Sequence, residues 1–127
     1  MNADLIPARQ LLCLLEDTAA GICADTAAVE LLARHDHFLR QRTFRRFVAT
    51  STTMFGGQPA AVIRWRAAVH ALDTGRLPCS TSEQAVLRVA ASLADDDIAV
   101  HLRQVLGSLD HTNITLVARA ITTANGS

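Results

Sequence analysis

At 127 residues, half of them apolar and 19 % charged, the chain has the size and balance of one globular domain, which excludes a disordered or multi-domain protein. Twelve acids balance twelve basic residues, so the strong overall positive charge that usually marks a nucleic-acid binder is missing. No apolar run approaches the ~20 residues of a membrane-spanning helix.

The first residues, with an early Asp4 and a short apolar run at 11–15, do not read as a secretory signal. A cytoplasmic location without stable membrane association is therefore expected. Three cysteines (Cys13, Cys23, Cys79) without CxxC spacing suggest neither a disulfide framework nor a zinc site.

The first predicted helix is capped by Asp4 with Pro7 in its first turn, and Ala8, Leu11, Leu12 and Leu15 form its buried stripe. It ends at Gly21. A second helix, capped by Asp25 or Thr26, carries Ala28, Leu31, Leu32, His35, Phe38 and Leu39 on one face and is expected to reach about Arg40. The phase then breaks, and a short helix capped by Thr43 accounts for Phe44, Phe47 and Val48.

Residues 50–59 read as a loop turning at Gly56-Gly57. Residues 60–65 fit two readings: a strand with Ala61, Ile63 and Trp65 on one face, or the start of a helix bearing Val62, Trp65, Val69 and Leu72. Helix is expected over 66–73 and stops at Thr74-Gly75. Ser80-Thr-Ser-Glu83 has the form of a capping box, opening a helix to about Ala94. That helix is apolar around most of its circumference, with a polar line of Gln84, Arg88 and Ser92, and is expected at the centre of the core. Leu102, Val105, Leu106 and Leu109 mark another helix. Asp110 caps the last one, with Ile114, Val117, Ala118 and Ile121 as its stripe.

The segments LPCS, SEQAVLRVAASLA and LDHTN, within residues 77–113, resemble small uncharacterised α-helical proteins of high-GC actinobacteria. The resemblance implies no activity and transfers no site.

Charge is unevenly spread. Residues 1–33 hold five acids and one arginine, residues 34–66 seven arginines and one acid, and residues 67–127 six acids and four arginines. Every Phe and Trp also lies within 34–66. The candidate binding residues are therefore Arg40, Arg42, Arg45, Arg46, Phe38 and Phe44. Arg45 and Arg46 are expected in the first turn of the short helix, against its dipole, where an anion or a partner's carboxylate would be welcome. The plainer reading is that the acids near the chain's beginning and end cover this stretch.

Other candidates have plain structural readings too. His35 and His37 suggest a metal pair, but two residues apart on a helix they face different ways. Asp95, Asp96 and Asp97 lack the alternation of a calcium loop, and Asp97 reads as the cap of the following helix. Cys79 precedes a helix N-terminus, where a thiol pKa is lowered, but no base is evident, and it reads equally as a small apolar residue under Pro78. No phosphate-binding glycine loop, HExxH or GxSxG occurs.

The expectation is an all-α (mainly α) single domain spanning 1–127, of five to seven short helices, with a minor β element at 60–65 if the strand reading holds. It is read as a non-catalytic interaction or regulatory module without metal or cofactor, docking through residues 38–48 on an acidic protein or a second copy of itself. The alternative is a nucleic-acid-binding regulator using the same arginines, including a helix-turn-helix over 28–48.

Overall fold

The computed structural model describes residues 3–51 and 59–127, leaving aside the side chain of Asp4. A 3-10 turn at Ala3–Leu5 leads into α1 (Ala8–Ala19) and α2 (Cys23–His35). A second 3-10 turn (Phe38–Arg40) and the single-turn α3 (Arg42–Arg45) follow. The strands β1 (Val48–Ser51) and β2 (Ala60–Ile63) come next, and α4 (Trp65–Asp73), α5 (Thr81–Ala94), α6 (Leu102–Ser108) and α7 (His111–Ala124) complete the chain. The domain is mainly α, with seven helices among the described residues. The Gly56-Gly57 turn and Phe55 lie outside those residues.

Local chemistry explains most boundaries. The capping box forms as the sequence predicts. The Glu83 amide donates to Ser80 Oγ at 3.2 Å, and the Ser80 amide donates to Glu83 Oε1 at 2.7 Å. Asp110 caps α7 by accepting from the Asn113 amide at 2.8 Å. Other starts differ from expectation. Pro7 is the N-cap of α1, not part of its first turn. Ile22 precedes α2 without a side-chain cap, so neither Asp25 nor Thr26 caps it. Gln41, not Thr43, precedes α3. His101, not Asp97, precedes α6.

The expected run of α2 to Arg40 ends instead at His35. Asp36 takes a left-handed conformation (φ 54°, ψ 40°), and its amide donates to Leu32 O at 3.0 Å. Few residues other than glycine adopt this conformation, but Asp is among those that tolerate it.

The strand reading of 60–63 holds, and its partner is a strand where the sequence reading put Val48 in the short helix and residues 50–51 in the loop. Val48 faces Ile63 and Ser51 faces Ala60 in an antiparallel pair. Val48, Ala61 and Ile63 are buried, while Val62 points outward at 42 % exposure. The Ala61 amide donates to Thr18 Oγ1 at 3.2 Å, joining the free side of β2 to α1.

The core is centred on α2 and α5 together, not on α5 alone: α2 packs on α1, α5 and α7, and α5 on α2, α4, α6 and α7. Leu31 and Leu32 of α2 meet Val86 and Leu87 of α5 in this core, all fully or almost fully buried. Burying such a side chain contributes roughly 1.5–3 kcal/mol. The stripe expected on α6 is buried only at Val105; Leu102 and Leu106 are 59 % and 49 % exposed.

Candidate functional site

The break at Asp36 decides what happens to the arginine–phenylalanine stretch. It turns the chain so that Phe38 and Phe44 both enter the core at 0 % exposure, with ring centroids 5.3 Å apart. Both rings were candidate docking residues; buried as they are, they support the surface from beneath and offer a partner no contact. Arg45 is also turned inward. Its Nε donates to Leu39 O at 2.9 Å, and its Nη1 donates to Ile6 O at 2.8 Å and to Ala3 O at 3.5 Å. It clamps the N-terminal segment to the turn that precedes α3.

The expected conflict with a helix dipole does not arise. α3 is one turn long, Arg45 is its last residue and Arg46 its C-cap, where positive charge is favourable. Nor is there a recognition helix for a helix-turn-helix, because β1 follows that single turn directly.

The remaining arginines sort by partner. Arg40 pairs with Asp36 at 3.0 Å on the surface, and Arg34 with Glu30 at 2.9 Å. Arg88 pairs with Asp73 at 2.6 Å, and Arg119 reaches Glu30 at 3.4 Å. Exposed Arg42 and Arg46 meet no acid among the described residues, and Arg46 Nε makes only a long bond, 3.4 Å, to Thr43 O. The acids of residues 1–33 therefore leave these two uncovered among the described residues.

A third exposed arginine joins them. The Arg64 amide donates to Phe47 O at 2.7 Å, continuing the hairpin ladder beyond Val48 and Ile63. Residues facing each other across an antiparallel pair project to the same side. Exposed Arg64 thus follows Val62 on the outer side of the hairpin, beside the backbone of Phe47 and Arg46, while the Phe47 ring turns to the core, 6.2 Å from the ring of Phe44. Sequence reasoning missed Arg64 and Val62 as neighbours of this stretch, because only the register of the hairpin brings them to it.

The same break overturns the geometric argument about the histidines. With Asp36 left-handed, the rings of His35 and His37 come within 5.6 Å. His37 Nδ1 lies 3.1 Å from Glu83 Oε2, and its Nε2 lies 3.1 Å from Gln41 Nε2. Glu83 thereby closes the cap of α5 with one oxygen and fastens the corner after α2 with the other. The Ser80 amide holds the Glu83 carboxyl below its usual pKa, helped by His37. Burial pushes the His35 pKa down, and neighbouring His37 adds to that. His35 Nδ1 and Gln41 Oε1 are buried without a hydrogen-bond partner among the described residues. No group of three His, Cys, Asp or Glu that could hold a metal ion occurs among the described residues. The cluster's evident work is structural: it joins α2, α3 and α5. Ser82 extends the junction to α7 by accepting from the Asp110 amide at 3.1 Å and from Asn113 Nδ2 at 2.9 Å.

The acidic run forms an ion-pair site instead of a cap. Arg66 Nε meets Asp95 Oδ2 at 2.9 Å, and its Nη2 meets Asp97. The hydrogen bond from Arg66 lowers the Asp95 pKa. Cys79 is half-buried, its Sγ 3.5 Å from Leu77 O. Burial, reinforced by Glu83, pushes its thiol pKa up, the reverse of what a nucleophile before a helix would need.

Comparison with protein-family models, with curated proteins and with solved structures returns no match to this chain. The site must be judged on its own chemistry.

Proposed function

We propose that this chain is a non-catalytic interaction module whose surface of Arg42, Arg46 and Arg64 docks on an acidic face of another protein or of a second copy. The observation that carries the reading is that Arg42 and Arg46, one helical turn apart, and Arg64, paired with Phe47 across the hairpin, meet no acid among the described residues, as Arg9, Arg76 and Arg103 elsewhere also do not, while five other arginines are paired with carboxylates. They flank an outward hairpin face with exposed Val62, so charge and a small apolar area lie side by side. Arginine forks suit carboxylates, and aromatic and arginine side chains are enriched where proteins meet. A second copy would offer Glu16 and Asp17 of α1, both exposed and without an ion pair among the described residues.

The test is a comparison of the parent with the double reversal Arg42→Glu/Arg46→Glu. Sedimentation reports self-association. Fluorescence of Trp65, the only tryptophan, and NMR shifts report binding of a Glu/Asp-rich peptide or a short DNA duplex. The reading expects self-association or peptide binding that the reversal abolishes while the melting temperature stays nearly unchanged. A reversal that unfolds the protein, or that leaves both associations intact, overturns it. So does preferential binding of duplex with a log–log salt slope of roughly −0.9 per phosphate contacted, which would assign the surface to nucleic acid.

A further inference from the structure

The polar line on α5 has a second use, at a place that shares no residue with the arginine surface. Gln84 and Arg88 are half-buried and border a cleft of about 350 Å³ between α5, α6 and residues 99–101. Thr81, His101, Gln104 and Ser108 supply the rest of its polar wall, and alanine and valine side chains its apolar part. Its volume falls in the range of small-molecule sites, roughly 300–1,000 Å³. Two helices packed for stability alone would close such a gap with apolar side chains, as α2 and α5 do. Here α6 closes it only with Val105.

The wall is rich in donors and carries no carboxylate. Arg88 brings a permanent cation, and its Nη2 donates to Asp73 Oδ1 at 2.6 Å, which tethers one end of the guanidinium. The remaining N–H groups of Arg88 meet no acceptor among the described residues, and Gln104 is exposed without a side-chain partner. Gln84 makes only a long contact, 3.5 Å, to Cys79 O.

We propose that this cleft binds a small organic carboxylate, anchored by Arg88 and flanked by the amides of Gln84 and Gln104. A planar guanidinium with one nitrogen tethered and the rest free matches a planar carboxylate. Because Asp73 already offsets part of the arginine's charge, a single negative head group suits the site better than a phosphate dianion. The apolar part of the wall then takes a short hydrocarbon tail.

The experiment is an amide-resolved NMR titration of the whole chain at constant ionic strength, with butyrate, the neutral isostere butyramide and inorganic phosphate as probes. Butyrate should give saturable shifts confined to residues 81–88 and 99–108, and butyramide should give none. Arg88→Gln should weaken butyrate by about tenfold or more, the loss expected for one charge-assisted contact. Gln104→Ala, on an exposed position, should weaken it severalfold, and it decides the matter should Arg88→Gln fail to fold. Absence of saturable shifts with butyrate overturns the proposal. So do equal shifts with butyramide, binding of phosphate alone, or an unchanged affinity in a folded Arg88→Gln or Gln104→Ala variant. A failure here leaves the arginine surface untouched, and the converse holds too.

Discussion

Replacing Arg45 by alanine separates an arginine that builds the fold from arginines that sit on it. Its guanidinium makes two short bonds, 2.9 Å to Leu39 O and 2.8 Å to Ile6 O, and a long one to Ala3 O. A hydrogen bond from a charged donor contributes ~1.5–3 kcal/mol, and a carbonyl left without a partner costs further. Arg45 is half-buried, so water will reach some of the freed carbonyls, and about 2–4 kcal/mol is the expected loss. For a chain of this length each kcal/mol lowers the melting temperature by ~3–5 °C, so a fall of about 10 °C is expected in calorimetry. Arg45→Lys should recover only part of it, since an ammonium cannot reproduce the fork. Arg42→Ala and Arg46→Ala, on exposed positions, should stay within ~0.5 kcal/mol of the parent. Amide exchange at residues 3–6 should accelerate in Arg45→Ala alone. If Arg45→Ala proves as stable as Arg42→Ala, the clamp is not what holds the N-terminal segment, and Arg45 returns to the list of free surface cations.

Ser80→Ala should cost ~1 kcal/mol with the circular dichroism spectrum unchanged; a variant as stable as the parent would mean the capping box does not stabilise α5. Acid should destabilise the protein in two stages. His35 has a folded pKa below its ordinary 6.5, so the unfolded chain takes up its proton first and stability falls as pH drops through about that value. The lowered Glu83 adds stability that is present above the ordinary carboxylate range and lost as pH falls further, through its folded value. Melting temperatures between pH 8 and 5 should flatten in His35→Leu, and an unaltered slope would show that His35 does not carry the linkage. Asp36→Val should lose ~1–2 kcal/mol from its left-handed position, whereas Asp36→Gly should not; urea denaturation giving equal midpoints would contradict the backbone argument.

The ends of α5 and α7 were legible because each signal and its partner lie within four residues: Ser80 with Glu83, and Asp110 with Asn113. The α2 stripe was legible as far as His35, but the left-handed turn at Asp36 leaves no mark in hydrophobic periodicity, which continues through Phe38 and Leu39. β1 was hidden because a four-residue strand declares itself only by its partner, and Ile63 lies fifteen positions from Val48. Within the candidate site, composition singled out the stretch but could not sort its side chains. Phe38 and Phe44 go inward once the chain turns, and the acceptors for Arg45 include carbonyls 39 and 42 positions away. Arg64 needed the hairpin register, and the cleft needed the placement of α6. The line of Gln84 and Arg88 was visible in the sequence as an exception on an apolar helix; what it faces was not.

The thin packing of α6 has a consequence for how the molecule comes apart. The cleft beside Gln84 and Arg88 lies on one side of this seven-residue helix, and a second, almost wholly apolar hollow of about 190 Å³ lies along Leu102, Leu106 and Ile121. Only Val105 is buried, and no side chain caps the helix start. Cooperative units open in order of the contacts they would lose, and a helix held by one buried valine stands low in that order. α6 therefore forms a subglobal unit that exchanges its amides and meets proteases while α2, α5 and α7 remain closed. Anything seated beside Arg88 would slow that opening, which makes the exchange rate of the hydrogen-bonded amides from Val105 onward a reporter of occupancy.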